Sequence, residues 1–477
     1  MIHPTSFGRQ DVLEKSIVVL PFVNISNDPD QEYFSDGLTE EIIADLSKIH
    51  DLLVISRSSS MTFKGTSKKI KEIAQDVNVK YVLEGSVRKA GNQIRVTAQL
   101  INATADTHLW SDKYTGVLDD VFDIQEKVSK AIVNELKIKL TEKESREISV
   151  HPIDNAVSYD FYLKARTYFL QWTKESTDQA LALLQNAEEL IGPNPTLYAG
   201  KAYAHWSYAN LGIEPKANTQ LSEQYVDKVF QLEPENPDGH LILGLLYQAF
   251  RGNPKLANHH FNRVLASRPH DYDALLWKYA NYFTLGKMDA ATKTLSKLTR
   301  LDPLSTISTC AEGWILMYEG KYSQSLPILK AAMEKEPSGI YKIFYGVALG
   351  CSGDFTALID FLNRMPKLEE GHFGTIFTVF KELMQGDIDA ARRDLNEDAW
   401  EWLKRDFQFS HLMAEIYCMA KQKEDTYKFL ENAMSKGFCN YPLLSGPSPI
   451  YSLLHDEVRF QNLLVTMKQL WDEFETD

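Results

Sequence analysis

Cysteine is scarce in this chain. There are four in 477 residues, Cys310, Cys351, Cys418 and Cys439, scattered and without a C-x-x-C pair. That spacing argues against a disulfide framework or a paired-cysteine metal or redox centre, and predicts buried, reduced thiols. Long apolar runs are also missing. The longest, around Leu241–Phe250, falls far short of the ~20 residues that span a membrane. Basic charge is in deficit: 51 Lys and Arg stand against 65 Asp and Glu, a net charge of −14. Such a chain offers no electrostatic reason to bind nucleic acid. The first 15 residues carry Arg9 and Lys15 without an apolar core between them, so no signal peptide is expected. A cytoplasmic location follows as the expectation, or a periplasmic one if the chain is a fragment of a longer membrane protein.

Signatures of catalysis are equally sparse. Phe63-Lys64-Gly65-Thr66-Ser67-Lys68-Lys69 gathers lysines, a glycine and hydroxyls, but lacks the first glycine and the Gly-Lys-Ser/Thr order of a phosphate loop. It reads as a solvated loop before a helix. Ser56–Ser60 (SRSSS) reads as a strand-to-loop exit. His205, His240, His259, His260 and His270 fall in one region, yet no H-x-x-x-H pair exists. Adjacent His259 and His260 point about 100° apart on a helix, so no metal site is expected. No G-x-S-x-G elbow appears. Asp119-Asp120 and Glu40-Glu41 are neighbours whose side chains diverge, better suited to helix starts than to acid–base work. The expectation is a chain without enzymatic activity, metal or cofactor.

What the chain does have is a period. Pro234, Pro269, Pro303 and Pro337 lie 35, 34 and 34 residues apart, each closing a similar phrase such as Leu232-Glu233-Pro234 or Leu301-Asp302-Pro303. Proline stops a helix, and a 34-residue period is that of stacked tetratricopeptide (TPR) hairpins. Small and large residues recur in register. Gly244, Ala257, Phe261 and Val264 mark one unit; Tyr282, Ala291, Leu295 and Leu298 the next; Gly313, Leu329 and Ala332 a third. About seven or eight hairpins are expected over 158–455, degenerate in the units near 338–370, 371–405 and 406–440. A helix over 456–477 is expected to cap them with Phe460, Leu463, Leu464, Met467, Leu470, Trp471 and Phe474.

Residues 16–140 have another rhythm. Ser16–Phe22 reads as a buried strand, Tyr33–Ile49 as a helix, Leu52–Ser56 as a strand and Ile70–Val77 as a short helix. Tyr81–Lys89 and Gln93–Ile101 flank Ala90-Gly91-Asn92 as a hairpin. Ile94, Val96, Ala98 and Leu100 alternate with polar residues, giving one buried face. Val121, Ile124, Val128, Ile132 and Leu136 stripe a long helix. The fold class expected is therefore an α+β domain, a mixed sheet with flanking helices, followed by an all-α TPR superhelical solenoid. Residues 1–15 form a tail, and 141–157, with His151-Pro152, a linker.

The strings SIVVLPFVNISNDPDQEYFSDGLTEEI and VKYVLEGSVRKAGNQIRVTAQLINATADTHLWSDKY closely resemble the TolB-like N-terminal domain of bacterial regulatory proteins. In that family the domain commonly precedes TPR repeats and follows a cyclase, a Ser/Thr kinase or a winged-helix domain. The tail GFCNYPLLSGPSPIYSLLHDEVRFQNLLVTMKQLWDEFE is similar to the ending of many of the same proteins. None of those upstream domains is expected ahead of Ser16. The resemblance implies a signalling accessory part and carries over no catalytic residue.

TPR stacks hold peptides or helices on a surface lined by their first helices. Here those helices lack the pair of basic residues that clamps a partner's C-terminal carboxylate in the best-known subclass. They carry aromatics instead, typical anchors of interfaces. Most are expected in the interhelix core, with Trp206, Trp277 and Phe283 facing the groove and binding a protein or peptide partner. The primary expectation is a non-catalytic signalling scaffold. The alternative is a sensory module whose TolB-like domain binds a small ligand and relays it to a cyclase, kinase or transcription partner.

Overall fold

The apolar run at the start of the domain forms strand β1 (Ser16–Val19), buried at all four residues. In this computed structural model, residues 12–26, 28–149, 152–336, 339–365, 372–405, 407–446 and 450–476 are described, with only the backbone of Asp30, Asp119 and His372. Pro337, His151, the first 11 residues of the expected tail and 447–449 of the C-terminal string lie outside them.

β1 pairs in parallel with β3 (Leu53–Val54) and β4 (Tyr81–Ala90), and β2 (Val23–Asn24) also runs parallel to β4. β4 turns at Gly91 into antiparallel β5 (Gln93–Asn102), which pairs with β6 (Thr107–Val117). The sheet is therefore mixed, in the order β3-β1-β4-β5-β6. The alternating residues Ile94, Val96, Ala98 and Leu100 are all buried on one face. That face packs against helices α1 (Glu32–Ser47) and α4 (Val121–Glu135), through Leu38, Ile42, Leu46, Val128 and Ile132. The other face holds a smaller core of Val18, Leu20, Ile55, Ile73, Val77 and Val82, beneath α3 (Ile70–Asp76).

Two local readings are corrected. The strand over Leu52–Ser56 is two residues long, and SRSSS is not a loop. Ser56 caps a short helix, α2 (Arg57–Met61), its hydroxyl accepting from Ser59 N. Side-chain oxygens of serine compete for backbone N–H groups and so start helices. The third antiparallel strand, β6, lacks a buried alternation and was not expected as a strand. All its residues are exposed or half-buried, so its sequence carries no apolar signal.

Residues 141–157, expected to be a linker, contain helix α5 (Glu142–Ser149). Ile148 and Ile153 are buried in the same core as α1, α4 and the first repeat helices. Apolar residues spaced five apart in a charged stretch gave little sign of that burial. Paired helices follow: α6 (Ala156–Phe169) with α7 (Lys174–Ile191), α8 (Pro195–Asn210) with α9 (Pro215–Leu232), α10 (Pro237–Ala249) with α11 (Pro254–Ser267), and α12 (Tyr272–Thr284) with α13 (Met288–Leu301). Later pairs are Thr306–Tyr318 with Tyr322–Lys335, Gly339–Cys351 with Phe355–Arg364, His372–Gln385 with Ile388–Asp394, and Phe407–Met419 with Lys423–Ser435. The last helix is Val458–Asp472.

Pro234, Pro269 and Pro303 each sit two residues beyond the end of a second helix. A second frame marks the turn inside each hairpin. Gly252, Gly286, Gly320, Gly353 and Gly386 all have positive φ, 59° to 83°. Their spacing of 33 or 34 residues continues through the units where the proline frame fades, and Lys421 (φ 59°) occupies the corresponding turn of the last pair. Residues without a side chain enter this left-handed region without strain.

The chain divides into two compact units. One comprises Met1–Gly244, His259–Leu275 and Lys297–Ser305; the other Leu245–Asn258, Leu276–Ser296 and Thr306–Asp477.

Candidate functional site

Within the first unit, three polar clusters among the described residues stand out where the N-terminal domain meets the repeats. The first centres on Asp160 of α6. It accepts from Tyr33 Oη (2.6 Å) and Lys89 Nζ (2.8 Å) and pairs with Lys164 (3.1 Å). Lys89 also stands over the Phe34 ring, 4.8 Å from its centre, and Lys164 over Tyr33 at 4.6 Å. Burial alone would raise the Asp160 carboxyl. The donors from Lys89 and Tyr33 more than offset it, so the group is held below the usual range. Beside this node lies a cavity of about 390 Å³, bounded by the start of α1, the β4–β5 tip and α6.

The second contact joins charges from three helices. Arg166 of α6 pairs with Glu40 (3.1 Å) and Glu41 of α1, and Arg57 of α2 also pairs with Glu40. Arg268 pairs with Asp238 at the start of α10. Asp273, at the start of α12, is exposed.

At the third contact, Ser58 and Ser59 donate to the two carboxylate oxygens of Asp302, the former at 2.6 Å. Ser56 N donates to Leu301 O (2.7 Å), and Leu304 N to Ser59 Oγ (3.0 Å). Nearby, the His270 ring meets His50 O at 3.1 Å. The Leu-Asp-Pro phrase that sets the repeat frame thus also receives the N-terminal domain.

Among the residues expected to line a groove, Trp206 is 2 % exposed, packed edge-on against Trp172 and beside Tyr203. Phe283 is 9 % exposed, stacked on Tyr279 and Tyr318. Both fill interhelix space instead of facing solvent, because aromatics at first-helix positions also bridge to a neighbouring hairpin. Trp277 is half-buried. Trp172, which sequence reasoning passed over, is 44 % exposed at the α6–α7 turn with φ 52°, a left-handed conformation unusual for a bulky residue.

The other candidates are spent locally. Lys64 pairs with Asp36 and Glu32, and Lys68 with Asp76. His205 bonds Asn218 (2.8 Å), and the Nδ1 atoms of His240 and His260 lie 3.0 Å apart. Burial, reinforced by the neighbouring rings, pushes His260 down to about 4, which favours a hydrogen bond between neutral imidazoles. No group of three metal-ligating residues occurs among the described residues. The four cysteines are free and buried. No described helix is long and apolar enough to cross a membrane.

Residues 13–131 match the family described as HilA/YgeH-like transcriptional regulator, second domain. The N-terminal domain is HilA-like, and repeated helical pairs follow it. The putative adenylate cyclase 3 of Rhizobium meliloti (strain 1021) is 40% identical over 245 residues, 48% of this chain and 40% of that protein. The transcriptional regulator HilA of Salmonella typhimurium is 25% identical over 158 residues, 33% of this chain and 28% of HilA. The chain thus spans well under half the length of these curated relatives. Among solved structures, a tetratricopeptide repeat protein from Parabacteroides merdae aligns with TM-score 0.38 and 15% identity, over 59% of this chain and all of that one. Lipoprotein GNA1162 from Neisseria meningitidis aligns with TM-score 0.21 and 20% identity, over 26% of this chain and 99% of that one.

Proposed function

We propose that this chain is a non-catalytic regulatory module whose helical repeats bind a protein partner. The observation that carries the proposal is the architecture itself: a HilA-like domain hydrogen-bonded onto helical repeats, in a chain that is similar over part of its length to a putative adenylate cyclase and to a transcriptional regulator. A repeat surface with half-buried aromatic residues suits a protein ligand. Binding should rest on aromatic anchors more than on charge. Trp277→Ala should weaken a partner captured by the wild type about thirtyfold, on the order of 2 kcal/mol, with little response to salt. The test is titration of both proteins at low and high ionic strength, with a melting curve for each. An unfolded variant would make Trp277 core, and a steep salt dependence would move the site to the charged contacts. The pure protein should turn over neither ATP nor GTP. Turnover abolished by one substitution in residues 1–140 would sink the non-catalytic reading.

A second reading is favoured by one observation, the cavity between the β4–β5 tip and α6. There a small ligand would touch the N-terminal domain and the first repeat at once, as a sensory module requires. Ligand sites are commonly found at such junctions.

A further inference from the structure

The N-terminal sheet has a second face, turned away from α1 and α4, and α3 covers its β1 side. Beyond that cover the strand register lays out two rows of side chains. Val23 of β2, Ser86 of β4, Thr97 of β5 and Lys113 of β6 form one row. Arg88, Arg95 and Thr115 form the next. Ile25 extends this second row past the end of β2, its N–H donating to Val87 O at 2.8 Å. Val23 is 60 % exposed and Ile25 49 %. Arg88, Arg95, Lys113 and Thr115 are exposed as well. We propose that this open face docks an acidic amphipathic helix of a partner protein. The surface belongs to the N-terminal domain and is separate from the repeats invoked above.

Arg88 and Arg95 stand directly opposite each other on neighbouring strands. Side chains so placed are ~5 Å apart at Cβ, and like charges there work against the pairing. Among the described residues neither arginine makes an ion pair, and neither does Lys113. Glu84, further along β4, accepts from Gln99. Among the described strand residues of this face, three positive charges thus stand against one negative, a net of +2 in a chain of net −14. A wet face is ordinary for an antiparallel sheet. Opposed arginines without a counter-ion, beside two exposed aliphatic residues, are not what a merely solvated face needs. A helix sets residues i and i+4 about 5–6 Å apart at Cβ, which matches the spacing of the two arginines. Two carboxylates one turn apart would each meet one guanidinium, whose parallel N–H donors suit them, and would relieve the repulsion. One turn further on, a third carboxylate would meet Lys113. One turn back, aliphatic side chains would cover Ile25 and Val23. The acid excess of the chain disfavours a polyanion such as DNA, and a phosphate backbone has no use for the two aliphatic residues.

The experiment is fluorescence titration of the full chain against a labelled amphipathic helical peptide of leucine and glutamate, its leucine–lysine counterpart and a DNA duplex. Saturable binding of the leucine–glutamate peptide, weakened by salt, and none of the other two is the expected pattern. The double variant Arg88→Ala, Arg95→Ala should weaken that peptide roughly tenfold or more. Its melting curve should not fall, because both side chains are exposed and repel each other. Ile25→Ser should weaken the peptide roughly threefold through the lost aliphatic contact. Lys330→Ala, an exposed cation of the second unit, should change nothing. Three results overturn the proposal: no saturable binding of the leucine–glutamate peptide, equal binding by the double arginine variant, or an equal loss in Lys330→Ala. DNA binding that the double variant abolishes, with no peptide bound, would make this a nucleic-acid surface instead.

Discussion

Ser58 Oγ donates to Asp302 Oδ2 at 2.6 Å, across 244 residues of sequence. With Ser59 on the other oxygen, the carboxylate is fully buried yet accepts from both hydroxyls. A buried carboxylate is tolerated only with such donors, and its loss leaves their hydroxyls short of a partner. Asp302→Ala should therefore destabilise the first unit by about 2–3 kcal/mol. Amide exchange should rise at 56–60 and 301–304 together, since both sides of the contact open at once. Exchange that rises on the repeat side alone would show that the serines do not hold the domain there.

A glycine sets the inner packing of the sheet. Gly85 lies opposite Ala98 on β5. A Cβ at that position would meet the Thr97 backbone oxygen at 2.5 Å and the Phe22 ring at 2.7 Å. The oxygen belongs to the ladder and cannot step aside as a flexible side chain can. Gly85→Ala should lower stability by about 2 kcal/mol or more in denaturant unfolding. Gly65→Ala, where nothing lies within 4 Å, is the comparison: its penalty comes only from φ 69° and should be about 1 kcal/mol.

Much of this architecture could be read from local pattern. The alternation in Ile94–Leu100 and the phrase ending at Pro234, Pro269 and Pro303 are short-range signals, and both mark the elements they predicted. The glycine frame from Gly252 to Gly386 was equally local but lacked a common neighbouring residue to draw attention to it. The contacts between the N-terminal domain and the repeats were not legible. Ser58–Asp302, Lys89–Asp160 and Arg166–Glu41 link residues 71 to 244 positions apart, and each partner alone resembles an ordinary surface residue. For the aromatics, spacing identified the helix face but could not separate a ring that fills an interhelix gap from one that reaches solvent.

Two tryptophans in contact separate packing from recognition. Trp206 is buried, and Trp172, its edge-on neighbour at 5.7 Å between ring centres, is 44 % exposed. Trp206→Ala should cost about 3–5 kcal/mol of stability, as other large-to-small core changes do. Trp172→Ala should stay within about 1 kcal/mol, because much of its surface is already wet. Comparable losses from both would show Trp172 to be core, and would remove it as a candidate contact for a partner.

The sharpest pH response should come from the second unit, where His411 and Glu415 are both buried, with Nε2 and Oε1 3.8 Å apart. Tyr318, Phe438 and Tyr451 surround the histidine, and Cys351 and Cys418 lie within electrostatic reach of the carboxyl. Loss of hydration pushes His411 down to about 3 and Glu415 up to about 8, so both are neutral near pH 6. The folded carboxyl keeps its proton where the unfolded one, with an ordinary value of 4.5, has lost it. Stability from this group is thus present at low pH and falls as pH rises from about 4.5 to about 8. The histidine works in the opposite sense. Unfolded, it takes up a proton below its ordinary 6.5, whereas folded it does not until about 3, so stability falls as pH drops through that window. Between about 4.5 and 6.5 the two slopes oppose each other, and above 6.5 only the carboxyl acts. Wild type should therefore lose about 2 kcal/mol between pH 6.5 and 8 through this residue. Glu415→Gln, which keeps the shape without the charge, should lack that loss, and its stability should fall from about pH 6.5 downward where wild type stays level to about 4.5. Urea unfolding of both proteins across pH 4–9 measures the difference, and parallel alkaline limbs would mean that Glu415 is already ionised in the native state.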